Sequence, residues 1–156
     1  MLLQQRQPTA AVCGLDIDPE VLSRARRKAD RLALPIRFEK RSATDPLDDL
    51  GPFDVAVSSL FFHHLDDGAK VRALANVCAA LRDGGRLHVV DWGRPSGLRT
   101  GLGFRLVRLL DGGRNTAASA RGTFPGLVAA AGFRDVAETD SLDTALGTLR
   151  FFRATA

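Results

Sequence analysis

Short apolar runs and longer amphipathic stretches take turns along this chain, and that alternation leaves few folds open to it. Ala10–Asp16, Ile36–Arg41, Phe53–Leu60 and Arg86–Asp91 are each the length of one strand, and the first has the near-continuous apolar character of a strand covered on both faces. Between the first two, Val21, Leu22, Ala25, Ala29 and Leu32 recur at helical spacing. Asp18 supplies an N-cap for that helix and Pro19 its first position, where a missing N–H costs nothing. The helix is expected to reach about Leu34 and stop before Pro35. A second helix is predicted over Asp66–Leu81, with Val71, Leu74, Cys78 and Leu81 on its buried side and Gly84-Gly85 as its stop. A Leu/Phe/Arg-rich helical stretch follows from Leu98 to Leu110, then a short helix over Thr123–Ala131 closed by Gly132. Val136–Asp140 and Leu149–Thr155 are the last strands; no crossover helix fits between them, so they pair antiparallel. The fold class is α/β: a mostly parallel, helix-covered sheet ending in an antiparallel hairpin.

Composition narrows the function classes. The 156 residues are most simply one domain, residues 1–156, with 45% apolar and 26% charged side chains, ordinary for a globular protein. No apolar stretch approaches the roughly 20 residues of a bilayer span, and Met1–Arg6 is too short and polar for a signal-peptide core. A cytoplasmic protein without a membrane partner is expected. Cys13 and Cys78 lack any metal-ligand spacing and are read as two buried, reduced thiols; no metal is expected. The formal charge of +4 owes part of its excess to Arg24, Arg26, Arg27, Lys28 and Arg31, read as the wet face of the first amphipathic helix. With no Tyr, a single Trp and no basic-aromatic interleaving, nucleic acid is not an expected partner.

Three places carry chemistry. Asp16 ends the first apolar run just before the Asp18-Pro19 helix start. Ligands of open α/β sheets sit at the carboxyl ends of strands, and a carboxylate there can accept both hydrogen bonds of a ribose diol. The other reading of Asp16 is a carboxylate favoured simply by the helix that follows. His63 and His64 adjoin on a loop, a poor geometry for one metal ion; either a hydrogen-bonding loop histidine or a proton acceptor fits them. Asp91 closes the fourth run, as an acid at the carboxyl tip of its strand, where ligands sit, or as a turn carboxylate before Trp92-Gly93.

Several segments together resemble the class I S-adenosylmethionine-dependent methyltransferases, with a Rossmann-like sheet. Gly14-Leu-Asp-Ile-Asp-Pro-Glu20 is similar to the element in which the family's second strand ends in the ribose-binding acid. The resemblance implies that role for Asp16, and packing of Ile17 on the adenine. Arg41-Ser42-Ala43-Thr44-Asp45 is similar to the adenine-contacting turn, which implies Ser42 and Ala43 at the cofactor; Ser42 stands where the family usually has Asp, and Asp45 reads better as a turn residue before Pro46. Phe53–Leu65 looks like the family's fourth strand and its loop, which implies Ser58, Ser59 and Leu60 along the cofactor's methionine end. Leu81–Asp91 and Phe124–Val136 match the approaches to the fifth and sixth strands, and Gly147–Ala154 the antiparallel seventh. The implied cofactor is S-adenosylmethionine and the implied reaction direct displacement at its methyl carbon, with His63, His64 and Asp91 as candidate catalytic residues and a small molecule as acceptor. The resemblance implies that acceptor choice falls to the segment between the fifth strand and the last helix, where Leu98, Leu102, Phe104, Leu106, Leu109 and Leu110 read either as an apolar lid with Arg99, Arg105 and Arg108 nearby or as ordinary helix packing with solvated arginines.

One part of the pattern is not found. The acid normally follows a glycine-rich loop by about 20 residues, whereas only fifteen residues precede Asp16, and Met1–Arg6 supplies only the tail of a helix. Gly101-Leu-Gly103 follows no strand and does not replace the loop. The expectation is a methyltransferase-like domain lacking its first strand, with a late start, or a complementing chain or homodimer partner that supplies the strand. A non-catalytic interaction module is the rival reading of function, and a nicotinamide-dependent oxidoreductase a weaker one.

Overall fold

The computed structural model describes residues 1–93, 122–145 and 147–156. The expected helix at Leu98–Leu110, its lid residues, Gly101-Leu-Gly103 and the three nearby arginines lie outside the described residues. The chain divides into two compact units, Met1–Asp45 and Pro46–Ala156.

The first unit runs α1 (Leu2–Arg6), β1 (Val12–Asp16), α2 (Pro19–Arg31) and β2 (Ile36–Lys40). β1 and β2 pair in parallel, from Val12 opposite Ile36 to Asp16 opposite Lys40. α2 starts as the sequence predicts: the Asp18 carboxylate accepts from the Glu20 N–H at 2.7 Å and the Val21 N–H at 3.5 Å, with Pro19 in the first turn. It ends at Arg31, short of the expected Leu34, because the chain turns through Leu32 and Ala33, the latter at φ 50°. Its buried face is narrower than the spacing implies. Leu22 and Ala29 are buried, whereas Val21 and Leu32 are exposed.

The second unit contains β3 (Phe53–Ser59), α3 (Asp67–Ala80), β4 (Leu81–Trp92), α4 (Phe124–Ala130), β5 (Arg134–Thr144) and β6 (Gly147–Thr155). Its sheet runs β3-β4-β6-β5: β3 and β4 are parallel, and β6 lies antiparallel between β4 and β5. The closing hairpin therefore inserts its second strand next to β4. Leu74, Leu87, Val89, Val128, Phe133 and Phe152 are buried in this unit; each such side chain contributes roughly 1.5–3 kcal/mol. Rings of Phe62, Phe124 and Phe152 form a chain with centroids 5.4 and 5.2 Å apart.

α3 matches its predicted span, Asp66–Leu81, to within a residue: it is capped by Asp66, whose carboxylate accepts from the Ala69 N–H at 2.7 Å, and ends at Ala80, but the paired glycines are not what stops it. Leu81 already turns extended, at φ −89° and ψ 148°, and pairs with Phe53. Gly84, at φ 72°, serves instead a register jump in β4, where Val55 pairs next with Arg86. On the helix face, Lys70 is fully buried, with its ammonium 3.1 Å from the Asp67 carboxylate. Cys13 and Cys78 are free thiols but only half-buried, not the buried pair expected. Among the described residues no helix is long and apolar enough to cross a membrane, and no three His, Cys, Asp or Glu side chains gather as a metal site.

Candidate functional site

In the first unit, the candidate residues collect at the carboxyl ends of β1 and β2. Asp16 ends β1, and one of its carboxylate oxygens accepts the Asp18 N–H at 2.9 Å, which fixes the side chain against the α2 start. Among the described residues its other oxygen meets no donor, so it is open to a hydroxyl ligand. Ile17 projects from the same turn and is 66% exposed, an apolar surface beside the acid. The Arg41 N–H donates to the Asp16 carbonyl at 3.1 Å, which brings the Ser42–Asp45 turn to the same end of the ladder. The Ser42 hydroxyl accepts from the Thr44 N–H at 3.2 Å and lies 2.7 Å from the Thr44 hydroxyl, while Asp45 N–H closes the turn on the Ser42 carbonyl. Ser42 is thus occupied with shaping its own turn. Ala43 sits at the bend without a polar side chain.

The second unit brings together residues that lie far apart in the sequence. β3 and β4 are parallel, and Ser59 stands opposite Val90. Leu60 follows in a left-handed conformation, φ 53°, held by its N–H donating to the Val90 carbonyl at 2.9 Å. Such a conformation costs a non-glycine residue about 1–2 kcal/mol and turns the chain sharply after Ser58 and Ser59. A single 3₁₀ turn, Phe62–His64, comes next. It delivers His63 into the interior and leaves His64 exposed, their rings 3.9 Å apart.

His63 meets Asp91, the two side chains being 4% and 3% exposed. The Nδ1–H of His63 donates to one Asp91 oxygen at 2.7 Å, and its backbone N–H donates to the other at 3.2 Å. The Trp92 N–H adds a third bond, at 2.7 Å. A buried carboxylate demands such satisfaction, because an unmet buried polar group costs about 1–3 kcal/mol. The arrangement also fixes the imidazole: with Nδ1 donating to Asp91, Nε2 carries the basic lone pair of the neutral ring. Of the three residues expected to do chemistry, His63 and Asp91 are joined and His64 lies outside the pair. Asp91 acts on the histidine rather than standing alone at a turn.

Two features of this unit are not read from the sequence. Lys70 lies at a position of α3 that its charge would assign to solvent. A cavity of about 250 Å³ lies at the end of β4, lined in part by Trp92, Gly93, Phe124, Glu138, Arg150 and Phe152. It depends on the cross-strand register of the hairpin, which no local pattern reports.

Residues 1–85, more than half of the chain, match the family model described as a methyltransferase domain. A demethylmenaquinone methyltransferase of Thermus thermophilus is 36% identical over 107 residues, 68% of this chain and 47% of that protein. The fold is similar to that of an O-methyltransferase family protein from Burkholderia thailandensis, with a TM-score of 0.73 at 15% identity over 98% of this chain and 46% of the other. It is also similar to human N-acetylserotonin methyltransferase solved in complex with S-adenosylmethionine, with a TM-score of 0.68 at 21% identity over 97% of this chain and 42% of the other. The chain spans about half the length of the curated relatives it matches.

Proposed function

The chain belongs to the methyltransferase-domain family, and on that premise we propose that it takes part in S-adenosylmethionine-dependent methyl transfer to a small-molecule acceptor. The observation that carries the reading is Asp16: an acid at the carboxyl end of a parallel strand, pinned through one oxygen by the Asp18 N–H and presenting the other. In the first unit, Asp16 receives the ribose hydroxyls and Ile17 offers its exposed apolar surface to the adenine. Ser42 and Ala43 line the adenine turn, where the Ser42 hydroxyl already serves Thr44 and so contributes shape more than a hydrogen bond. In the second unit, Ser58, Ser59 and Leu60 flank the methionine end, on a turn that the left-handed Leu60 holds in place.

When bound, S-adenosylmethionine supplies a methyl group made electrophilic by its sulfonium. The residues of the chain then need to align the acceptor and take up its proton. His63 is assigned the proton acceptor, receiving the proton at Nε2. Asp91 orients the ring through Nδ1 and stabilises the imidazolium that forms. His64 is left as a neighbour of the ring, without a role in the proton transfer.

The test is incubation of the full chain with methyl-labelled S-adenosylmethionine and a panel of phenolic, quinol and amine acceptors. Label in an acceptor, lost in His63→Gln, supports the proposal. Cofactor binding without transfer to any acceptor supports the non-catalytic module instead. Binding of a reduced nicotinamide in place of S-adenosylmethionine supports the oxidoreductase.

A further inference from the structure

The two faces of the β3-β4-β6 sheet differ in cover. Leu87, Val89, Phe152 and Ala154 are buried on one face, where α4 packs Phe124 on Phe152 with centroids 5.2 Å apart. Register sets the other face: Val55 stands beside Arg86, Val57 beside His88, His88 beside Arg153, and Val90 beside Phe151. None of these side chains is buried, and Val57 is 64% exposed and Val55 38%. Parallel strands are normally covered on both faces, so β3 and β4 leave an apolar surface open here. The surface is also basic. His88 and Arg153 form a direct cross-strand pair, and Arg86 lies two residues along β4, about 7 Å away. Neither guanidinium has a carboxylate partner among the described residues. Burial and these two arginines hold the His88 pKa below the ordinary histidine value. Like charges gathered across a sheet are destabilising.

An occupant of this face has to match both its apolar and its charged part. Three strands about 4.8 Å apart make a surface about 10 Å wide, the width of a single α-helix. The described helices of a second copy do not fit it: α1 and α4 carry no acid, α2 is net basic, and the acid of α3, Asp67, already pairs with Lys70. Residues 94–121 are arginine-rich, with Asp111 their single acid. We propose that the open face docks an acidic amphipathic helix of a partner protein, its apolar stripe on Val55, Val57 and Phe151 and its carboxylates on Arg86 and Arg153. Docking takes the valines out of water and gives both guanidinium groups the acids they lack. The inference does not rest on the methyl-transfer reading and uses none of its residues.

The probe is a capped peptide of about 18 residues, five helical turns, built from leucine, alanine and glutamate with its leucines at helical spacing. It is titrated into the full chain by calorimetry and by NMR of the Val55 and Val57 methyl groups, which lie on the open face. The expected result is saturable binding that shifts both valines and weakens at least tenfold in the double variant Arg86→Glu/Arg153→Glu. The control Arg24→Glu/Lys28→Glu, which removes the same charge from the exposed face of α2, changes affinity less than twofold. The proposal is overturned by no binding to the unsubstituted chain, by a scrambled peptide of the same composition binding as well, or by the α2 control weakening binding as much as the double variant. Binding to phosphatidylglycerol vesicles but not to the peptide overturns it in favour of a membrane surface. Self-association in sedimentation, abolished by Arg86→Glu/Arg153→Glu, overturns it in favour of a second copy. Should the double variant fail to fold, Val57→Asp decides: at least tenfold weaker binding of the peptide supports the proposal, and unchanged binding overturns it.

Discussion

Replacing Asp91 tests whether the buried pair with His63 holds the second unit's site together. The carboxylate accepts three N–H groups: His63 Nδ1 and Trp92 N at 2.7 Å, and His63 N at 3.2 Å. In Asp91→Asn the amide oxygen serves the two short bonds, and the NH2 then faces the His63 backbone N–H. One buried donor is left unmet, a loss of about 1–3 kcal/mol. Asp91→Ala removes both acceptor oxygens and leaves three N–H groups without their partner, at about 1–3 kcal/mol for each that stays buried and unmet. Against a total stability of roughly 5–15 kcal/mol, the alanine variant loses a large fraction. Urea unfolding followed by far-ultraviolet circular dichroism measures both, and with a slope of about 1–3 kcal/mol per molar the asparagine midpoint falls by about 1 M. Circular dichroism is preferred to fluorescence because Trp92 adjoins the substituted residue. Both variants within 0.5 kcal/mol of the parent, or alanine no worse than asparagine, would refute the reasoning.

Other expectations follow from single contacts. Asp18→Ala removes the N-cap of α2 and is expected to cost about 1 kcal/mol, read as a lowered urea midpoint, whereas Asp18→Asn retains most of the stability. His88, half-buried on β4 opposite Arg153 and two residues from Arg86, has its pKa lowered by burial and by those two arginines. A base with a lowered folded-state pKa binds fewer protons folded than unfolded, so stability declines as the pH drops through the ordinary histidine value and levels off below the folded one. His88→Gln is expected to flatten that part of a stability profile measured from pH 8 to 5. At Cys78, burial pushes the thiol pKa up, partly offset by Arg134; alkylation by iodoacetamide at pH 8 is expected to be slower than for a free thiol in a short peptide, and urea is expected to speed it.

What could be read from the sequence was whatever the chain decides locally. Asp18-Pro19 announced the start of α2, since cap and proline act on the turn they begin. The closing antiparallel hairpin was legible from the short spacing between its strands. The end of α3 near Leu81 was legible too, but not its cause: Gly84-Gly85 looks like a helix stop, while Leu81 is claimed earlier by pairing with Phe53. Nothing in the sequence singles out Lys70, whose buried stem and bond to Asp67 appear only in the fold. Site residues were identified one by one, but not their partnership. Asp91 and His63 are 28 residues apart, and only the parallel register of β3 and β4 brings them within 2.7 Å. Arg150 and Glu138 escaped notice for the same reason: each is ordinary on its own strand, and the cavity exists only once β6 inserts beside β4.

The central claim is that Asp16 receives the ribose of S-adenosylmethionine. Calorimetric titration of S-adenosylmethionine into the full chain and its Asp16→Ala variant tests it most directly. Loss of hydrogen bonds to a charged acceptor, about 1.5–3 kcal/mol each, is expected to weaken saturable one-to-one binding at least tenfold in the variant. Absence of binding to the unsubstituted chain, or equal affinity in Asp16→Ala, would contradict the account.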